Sequence, residues 1–256
     1  METYFNIKYE FNREAVHDAI AQRLLEPGAD YICVSDGVIV NTARRFPEYR
    51  KVINGGMFSI CDSSFIPLYL KKIYGLSYEQ YCGFSILQDI VNLQKYRLFF
   101  LGANQKILDD LRVKLVEIDS RIQDMKFMEL PYCKVSKFDY EGIAKVINED
   151  NPDIIFIALG APKQEFFMSL LKPYLNRGVM IAVGAAFNFV AGKEIKRAPQ
   201  WMINHHLEFV YRLGQEPKKQ SKRCFNIIRT LPGLLYDEWR RSKQTDSSDK
   251  EEGSDE

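Results

Sequence analysis

Three continuous apolar segments, each ending in Gly-Ala, constrain the fold of this chain more than any other feature. The segments are residues 97–101 before Gly102, residues 153–159 before Gly160 and residues 179–183 before Gly184. An uninterrupted apolar run of this length is typical of a strand buried on both faces of a parallel sheet. The sequence therefore predicts at least three parallel strands whose carboxyl ends carry glycine.

Amphipathic helical patterns follow the first two of these glycines. Apolar residues recur at helical spacing in each: Ile107, Leu108, Leu111, Leu115 and Ile118 in the first, and Phe166, Phe167, Leu170, Leu171 and Tyr174 in the second. Residues 14–25 form a further predicted helix, and residues 31–34 and 57–61 two more strands. Strands that alternate with helices predict an α/β fold, Rossmann-like and doubly wound, with a mostly parallel sheet.

Length and composition exclude several other classes of protein. The 256 residues are 46% hydrophobic and 27% charged with a net charge of +1, which fits a soluble globular chain and gives no overall basic bias for nucleic acid. No apolar run reaches the roughly 18 residues of a membrane span, and the N-terminus does not look like a secretory signal. The five cysteines form no Cys-x-x-Cys, so a reduced, cytoplasmic setting without a zinc site is expected.

Gly102, Gly160 and Gly184 are candidate substrate-binding residues because of their position. In open α/β sheets, ligands bind outside the carboxyl ends of the strands, and glycine there lets a ligand approach the backbone closely. The alternative is that these glycines only form tight turns between strand and helix.

The stretch Gly160-Ala161-Pro162-Lys163-Gln164-Glu165 gives the most specific local signal. A helix that begins here would point N–H groups and its positive end toward an anion, and Lys163 would add a full charge. Gln164 and Glu165 are further candidate substrate-binding residues. The alternative is a well-capped helix whose polar residues are solvated.

The C-terminal third differs in composition from the rest. Residues 1–192 are predicted to form the catalytic α/β domain, and residues 193–243 a basic, aromatic helical appendage that contacts a membrane or closes the active site. Residues 196–243 contain eleven Lys/Arg and four Asp/Glu, a net charge of +7. Residues 244–256 contain one Lys and six Asp/Glu and no apolar side chain, which predicts a disordered acidic tail.

Two further motifs lie in the C-terminal part of the chain. Residues 188–201 read Asn-Phe-Val-Ala-Gly-Lys-Glu-Ile-Lys-Arg-Ala-Pro-Gln-Trp, and residues 207–217 contain Glu-Phe-Val-Tyr-Arg-Leu followed by Glu-Pro. With Gly160-Ala161-Pro162-Lys163-Gln164-Glu165, and in this order and spacing, they resemble the WecG/TagA/CpsF family of bacterial glycosyltransferases. The resemblance covers residues 29–235, and the block at 160–165 is identical to that of the family.

The resemblance implies an inverting transfer of a sugar from a UDP-sugar, often an N-acetylhexosamine, to a sugar on a polyprenyl diphosphate. Products of such enzymes enter teichoic acid linkage units, enterobacterial common antigen, capsules or exopolysaccharides. The family also implies a place on the inner face of the membrane. Aromatic and basic residues of the appendage suit an anionic membrane surface, although they would equally suit a helical subdomain packed on the core.

By resemblance, the general base is Asp62, which follows a predicted strand. Ser63 stands where the family usually has Gly, and a role of Asp62 as a helix cap is the alternative. Asp36 and Asn188 align with family positions near the substrates, but Val34, Asp36 and Asn188 replace the usual Thr, Asn and Asp. Asp36 is therefore kept as a second carboxylate near the acceptor.

The leaving diphosphate needs positive charge, which many glycosyltransferases supply with a metal held by Asp-x-Asp. The chain contains no Asp-x-Asp, so we expect metal-independent transfer without a cofactor. The basic residues expected to bind the diphosphate instead are Lys196, Arg197, Arg212 and Arg223.

Two other functions are weighed against transfer. A non-catalytic relative that binds nucleotide sugar in an assembly complex would explain the altered family residues. A nicotinamide-dependent oxidoreductase is disfavoured because no Gly-x-Gly-x-x-Gly follows a strand. A nucleic-acid partner is not expected, and a homo-oligomer stays open.

Overall fold

A computed structural model describes residues 1–192, 198, 199, 201, 202, 207–215 and 217–252 of the chain. Within these ranges, the side chains of residues 208, 209, 212, 219, 222, 223 and 245–252 lie outside the described part.

The structure is built on one eight-stranded sheet with the spatial order β1-β2-β4-β3-β8-β7-β5-β6. Its pairs are parallel except for the antiparallel hairpin of β1 and β2. The strands are β1 (Glu2–Tyr4), β2 (Ile7–Tyr9), β3 (Gly28–Ser35), β4 (Phe58–Cys61), β5 (Leu98–Gly102), β6 (Lys126–Met128), β7 (Ile154–Ala158) and β8 (Arg177–Ala182). The predicted mostly parallel sheet is thereby confirmed.

Helices connect the strands and continue beyond the sheet. They are α1 (Arg13–Arg23), α2 (Gly37–Arg45), α3 (Pro47–Asn54), α4 (Phe65–Tyr74), α5 (Gly83–Asn92), α6 (Gln105–Val116), α7 (Tyr140–Asp150), α8 (Lys163–Leu171), α9 (Ala186–Ala191), α10 (Glu208–Gln215) and α11 (Pro217–Glu252). Short 3-10 turns lie at Ser120–Asp124, Val135–Lys137 and Lys172–Tyr174.

Both faces of the sheet are buried, which is why the central strands read as continuous apolar runs. Phe99 and Leu101 of β5 pack with α2, α3, α7 and α8 on one face. Leu98 and Phe100 of the same strand pack with α1, α5, α6 and α9 on the other. Helices on both faces of a parallel sheet define the doubly wound α/β architecture that the sequence predicts.

Gly102 is required by the packing of two strands. Its φ is +98°, and a Cβ atom there would lie 2.8 Å from the carbonyl oxygen of Ala158 on β7. This glycine therefore lets β5 and β7 end side by side. It is not among the lining residues of the crevice described below, and its contact with substrate stays a prediction.

The structure differs from the sequence predictions in one hairpin and in three residues of the predicted apolar stripes. The hairpin of β1 and β2 was not predicted, because its turn at Phe5 and Asn6, with φ values of 52° and 61°, contains no glycine. Ile118, Leu170 and Tyr174 of the predicted apolar stripes are exposed. Ile118 and Tyr174 lie beyond the ends of α6 and α8, whereas Leu170 lies within α8 on its exposed side.

The C-terminal segment differs from its prediction over residues 244–252. The acidic composition predicts disorder from Gln244 onward, whereas helix α11 continues to Glu252. Extending a helix costs far less than starting one, so a helix already formed over the preceding residues can continue into a polar sequence.

Helix α11 packs on the sheet domain, and its firmest polar contacts lie in its second half. Glu238 is buried, and its carboxylate accepts a hydrogen bond from the backbone N–H of Phe5 (2.8 Å) and one from the Tyr74 hydroxyl (2.9 Å). The neighbouring Asp237 pairs with Arg44 of α2 at 2.8 Å. These contacts fix the helix against the turn that follows β1 and against α2 and α4.

Candidate active site

A crevice lies outside the carboxyl ends of the parallel strands, where ligands bind in open α/β sheets. It encloses about 1360 Å³ including its open mouth. Residues at the ends of five strands line it: Val34 and Asp36 after β3, Asp62 after β4, Ala103 and Asn104 after β5, Ala158 to Ala161 after β7, and Ala182 to Ala185 after β8. Gly160 and Gly184, both predicted from sequence, lie here with φ values of +76° and +53°.

Asp36 stands at the end of β3 and begins helix α2. Its carboxylate oxygen Oδ1 accepts hydrogen bonds from the backbone N–H groups of Val38 (2.9 Å) and Ile39 (3.0 Å). This N-cap fixes one oxygen of the carboxylate on the helix, and the side chain lines the crevice.

Asp62 lies one strand away, after β4, and also lines the crevice. Its backbone is held at both ends, because its N–H donates to the carbonyl oxygen of Ser35 (3.0 Å) and its own carbonyl oxygen accepts from the Gln80 side chain (2.8 Å). Capping of the following helix α4 falls to Ser63, whose hydroxyl oxygen accepts from Phe65 N (3.2 Å) and Ile66 N (3.3 Å). The capping role considered for Asp62 is thus filled by Ser63, the residue that departs from the family pattern.

The turn from β7 into α8 is organised by Gln164. Its side-chain oxygen accepts from the N–H of Gly160 (3.0 Å), and its Nε2 donates to Glu165 (2.9 Å). Gln164 lines the crevice, as expected. Because the Gln164 side chain accepts the Gly160 N–H, its amide is held in a fixed position at the wall of the crevice.

Glu165 lies beneath the crevice rather than in it. The side chain is fully buried and accepts hydrogen bonds from Gln164 and from the Tyr49 hydroxyl on α3 (3.0 Å). Burial raises the pKa of the Glu165 carboxyl to about 7, although these hydrogen bonds act in the opposite direction. Glu165, predicted as a substrate contact, is instead a buried support for Gln164.

Lys163 also lies away from the crevice. Its ammonium nitrogen stands over the rings of Phe138 (4.9 Å) and Tyr132 (5.4 Å), at cation–π distance. The charge that the sequence places at the anion site is therefore directed elsewhere in this structure, because aromatic rings on the neighbouring segment attract it.

Helix N-termini surround the crevice. The N-cap residues of α2, α5, α6 and α9 line it, namely Asp36, Cys82, Asn104 and Ala185, and α8 begins at Lys163, two residues after the lining residue Ala161. The positive ends of helix dipoles favour anions. No Lys or Arg is among the lining residues in the described part of the chain.

Of the remaining predicted residues, one lines the crevice and four have side chains outside the described part of the structure. Asn188 of α9 is half-buried and lines the crevice. Lys196 and Arg197 lie outside the described residues, and so do the side chains of Arg212 and Arg223, although both arginines are on described helices.

Several lining residues were missed by the sequence reasoning. They include Cys82, Phe84, Asn104 and Phe189. The position of Asn104 could have been predicted, because it directly follows Gly102-Ala103 at the end of a strand. In the structure its side-chain oxygen caps α6 by accepting a hydrogen bond from Ile107 N (2.9 Å). The other three carry no local motif, and only the packing of α5 and α9 brings them to the crevice.

A second cavity, here called the apolar groove, adjoins the crevice. It encloses about 1100 Å³ including its mouth and lies between α2, α4 and α11. Asp36 and Asp62 line both cavities. Its apolar lining comprises Val38, Val40, Phe65, Ile66, Tyr69, Ile227, Leu231 and Leu234.

Neither a metal-binding cluster nor a membrane-spanning helix is present within the described ranges. No group of three or more His, Cys, Asp or Glu side chains there could hold a metal ion. No described helix is long and apolar enough to span a bilayer.

Comparison with known proteins gave one family and several relatives. The family model for "Glycosyl transferase WecG/TagA/CpsF family" matches residues 4–245. An N-acetylglucosaminyldiphosphoundecaprenol N-acetyl-beta-D-mannosaminyltransferase of Bacillus spizizenii is 27% identical over 216 residues, which cover 83% of this chain and 81% of the relative. Proteins of the same name from Bacillus subtilis (27% identical, 77% and 75% covered) and Staphylococcus aureus strain MW2 (22%, 80% and 78%) also match.

Proposed function

The chain belongs to the WecG/TagA/CpsF glycosyltransferase family, and on that premise we propose the reaction it catalyses. It transfers an N-acetylhexosamine from a UDP-sugar to N-acetylglucosamine on a polyprenyl diphosphate, with inversion at the anomeric carbon. The relatives named above are N-acetylmannosaminyltransferases that act on such a lipid-linked acceptor. The observation that carries the proposal is the crevice, which combines the Asp62 carboxylate with five helix N-termini.

Asp62 is the general base in this proposal. An acceptor hydroxyl oxygen attacks the anomeric carbon, the bond from that carbon to the diphosphate oxygen breaks, and UDP leaves with the electron pair. The hydroxyl proton passes to the Asp62 carboxylate. Asp62 suits this step because it lines the crevice while Ser63 caps the helix.

The charge that develops on the leaving UDP is stabilised by the helix N-termini and by basic side chains of the appendage. Backbone N–H groups aimed at such a charge stabilise the transition state without reorganising. Lys196, Arg197, Arg212 and Arg223 are the proposed cationic partners, and Gln164 and Asn188 the proposed uncharged contacts to the donor.

The acceptor requires contact with a membrane, and helix α11 carries a surface suited to it. Four large apolar side chains are exposed along one side of this helix: Phe225, Ile228, Tyr236 and Trp239. Arg229 and Arg240, also exposed, can meet anionic headgroups. We place the protein at the cytoplasmic face of the membrane as a peripheral enzyme.

The decisive experiment offers the purified full-length chain a panel of UDP-sugars with an N-acetylglucosamine-diphosphate-lipid analogue and follows UDP release. We expect release that depends on both substrates, with the highest rate for a UDP-N-acetylhexosamine. Binding of a UDP-sugar without release or transfer from any donor would instead identify a non-catalytic relative.

Metal independence is a separate expectation of the same assay. Because helix N-termini and basic side chains are proposed to take the place of an ion, EDTA should leave the rate of UDP release unchanged. A loss of rate in EDTA that magnesium or manganese restores would contradict this part of the mechanism.

A further inference from the structure

The apolar groove has no role in the chemistry described so far, although it shares two lining residues with the crevice. Asp36 and Asp62 are common to the linings of the two cavities. A molecule whose hydroxyl approaches Asp62 can therefore extend its remaining part into the groove without crossing the donor side, where Gly160, Gln164 and Gly184 lie.

The groove combines polar and apolar lining residues. The uncharged polar lining residues are Asn41, Ser63, Ser64, Gln80, Gln220 and Thr230, and Ser63 and Ser64 stand at the N-terminal end of α4. The rest of the lining is mainly aliphatic and aromatic. This composition matches an amphiphile with a polar head and a hydrocarbon chain rather than a second sugar nucleotide, which would need polar partners throughout.

Helix α11 forms one wall of the groove and is held close to the sheet domain. An added Cβ at Gly37, at the start of α2, would lie 3.5 Å from the Cδ1 atom of Ile227, so the helix approaches α2 closely. Glu238 and Asp237 anchor the same helix farther along. The groove is therefore a cavity between elements that these contacts hold together.

We propose that the apolar groove binds the first isoprene units of the acceptor's polyprenyl chain, the part next to the diphosphate. The proposal rests on the lipid-linked acceptor of the proposed function. It makes the chain length of the acceptor a determinant of affinity, because each added isoprene unit removes apolar surface from water. The acceptor sugar then sits at Asp62 and the lipid leaves the protein along α11.

Two native cysteines report on the two cavities separately. Cys224 lines the groove and Cys82 lines the crevice, and both are half-buried. The full chain is treated with N-ethylmaleimide in the presence of N-acetylglucosamine-diphosphate bearing a methyl, geranyl or farnesyl group, and peptide mass spectrometry measures the modification rate at each cysteine. We expect protection of Cys224 to increase with chain length, and the apparent Kd to fall at least about tenfold from methyl to farnesyl. UDP should protect Cys82 and leave Cys224 reactive.

A pair of adjacent variants tests the groove by filling it. Ile227→Trp places a large ring in the cavity, whereas Ile228→Trp puts the same ring on the exposed side of the helix. With water-soluble acceptors, Ile227→Trp should reduce the farnesyl-to-methyl difference in KM to near unity, and Ile228→Trp should preserve it. If Ile227→Trp does not fold, the cysteine protection in the unmodified chain still decides the question.

The outcomes separate this proposal from the transfer reaction. Cys224 protection that is equal for methyl and farnesyl acceptors, with normal UDP release, overturns the groove assignment alone. Protection that depends on chain length without UDP release from any donor supports the groove and contradicts the transfer reaction.

Discussion

Asp62→Asn is expected to fold normally and to lose about 10²–10⁴-fold in turnover, the usual contribution of a positioned general base. Asparagine has nearly the shape of aspartate but cannot take up the acceptor proton. The backbone bonds that hold residue 62 to Ser35 and Gln80 involve main-chain atoms, so the substitution leaves them in place. The measurement is kcat by UDP release, with donor binding followed by calorimetry.

Asp36→Asn is the matched control for that loss. Asp36 lines the same crevice, but its Oδ1 already accepts hydrogen bonds from two N–H groups of α2. Asparagine is an equally good N-cap, so the helix should persist. We expect a smaller reduction in kcat than for Asp62→Asn. Near-normal turnover of Asp62→Asn would remove Asp62 from the mechanism.

The free energy of unfolding of Glu165→Gln, relative to that of the natural chain, should increase by about 2–3 kcal/mol as pH rises from 5 to 8. The pKa of the buried carboxyl is raised from 4.5 to about 7 in the folded protein. Between these values the unfolded chain releases the proton while the folded protein keeps it. The stability that the natural chain gains from the raised pKa is fully present below about pH 4.5 and is lost as the pH rises through 7.

Glutamine cannot ionise, so the variant avoids this loss while keeping an acceptor for Gln164. Urea unfolding at several pH values measures the difference in the free energy of unfolding between the two proteins. Glu48→Gln, at an exposed position beside Tyr49, serves as the control and should show no such pH-dependent difference. A stability difference for Glu165→Gln that is constant across pH would show that the carboxyl is not protonated by burial.

The fold could be predicted because the central strands are recognisable from their own residues. Burial on both faces requires apolar side chains at every position of β5 and β7, and such runs are visible without a structure. The hairpin of β1 and β2 and the course of α11 were not predictable in the same way. Their positions depend on contacts between distant parts of the chain, such as Phe5 with Glu238.

The candidate site could be predicted only in part, for a related reason. Glycines and Asp62 at strand ends are placed by topology alone, so their approach to one crevice follows from a parallel sheet. Lys163 and Glu165 flank Gln164 in sequence, yet successive helical residues point in different directions. One is drawn to Phe138 and the other to Tyr49, and neither contact leaves a local mark in the sequence.

The bond between Phe5 and Glu238 has a consequence for biosynthesis. It joins positions 233 residues apart, so the wall that α11 adds to the apolar groove cannot form while that helix is still inside the ribosome. The sheet can assemble earlier from the strands already emerged. A nascent chain would thus form the crevice at the strand ends first and complete the apolar groove only after residue 238 has left the ribosome.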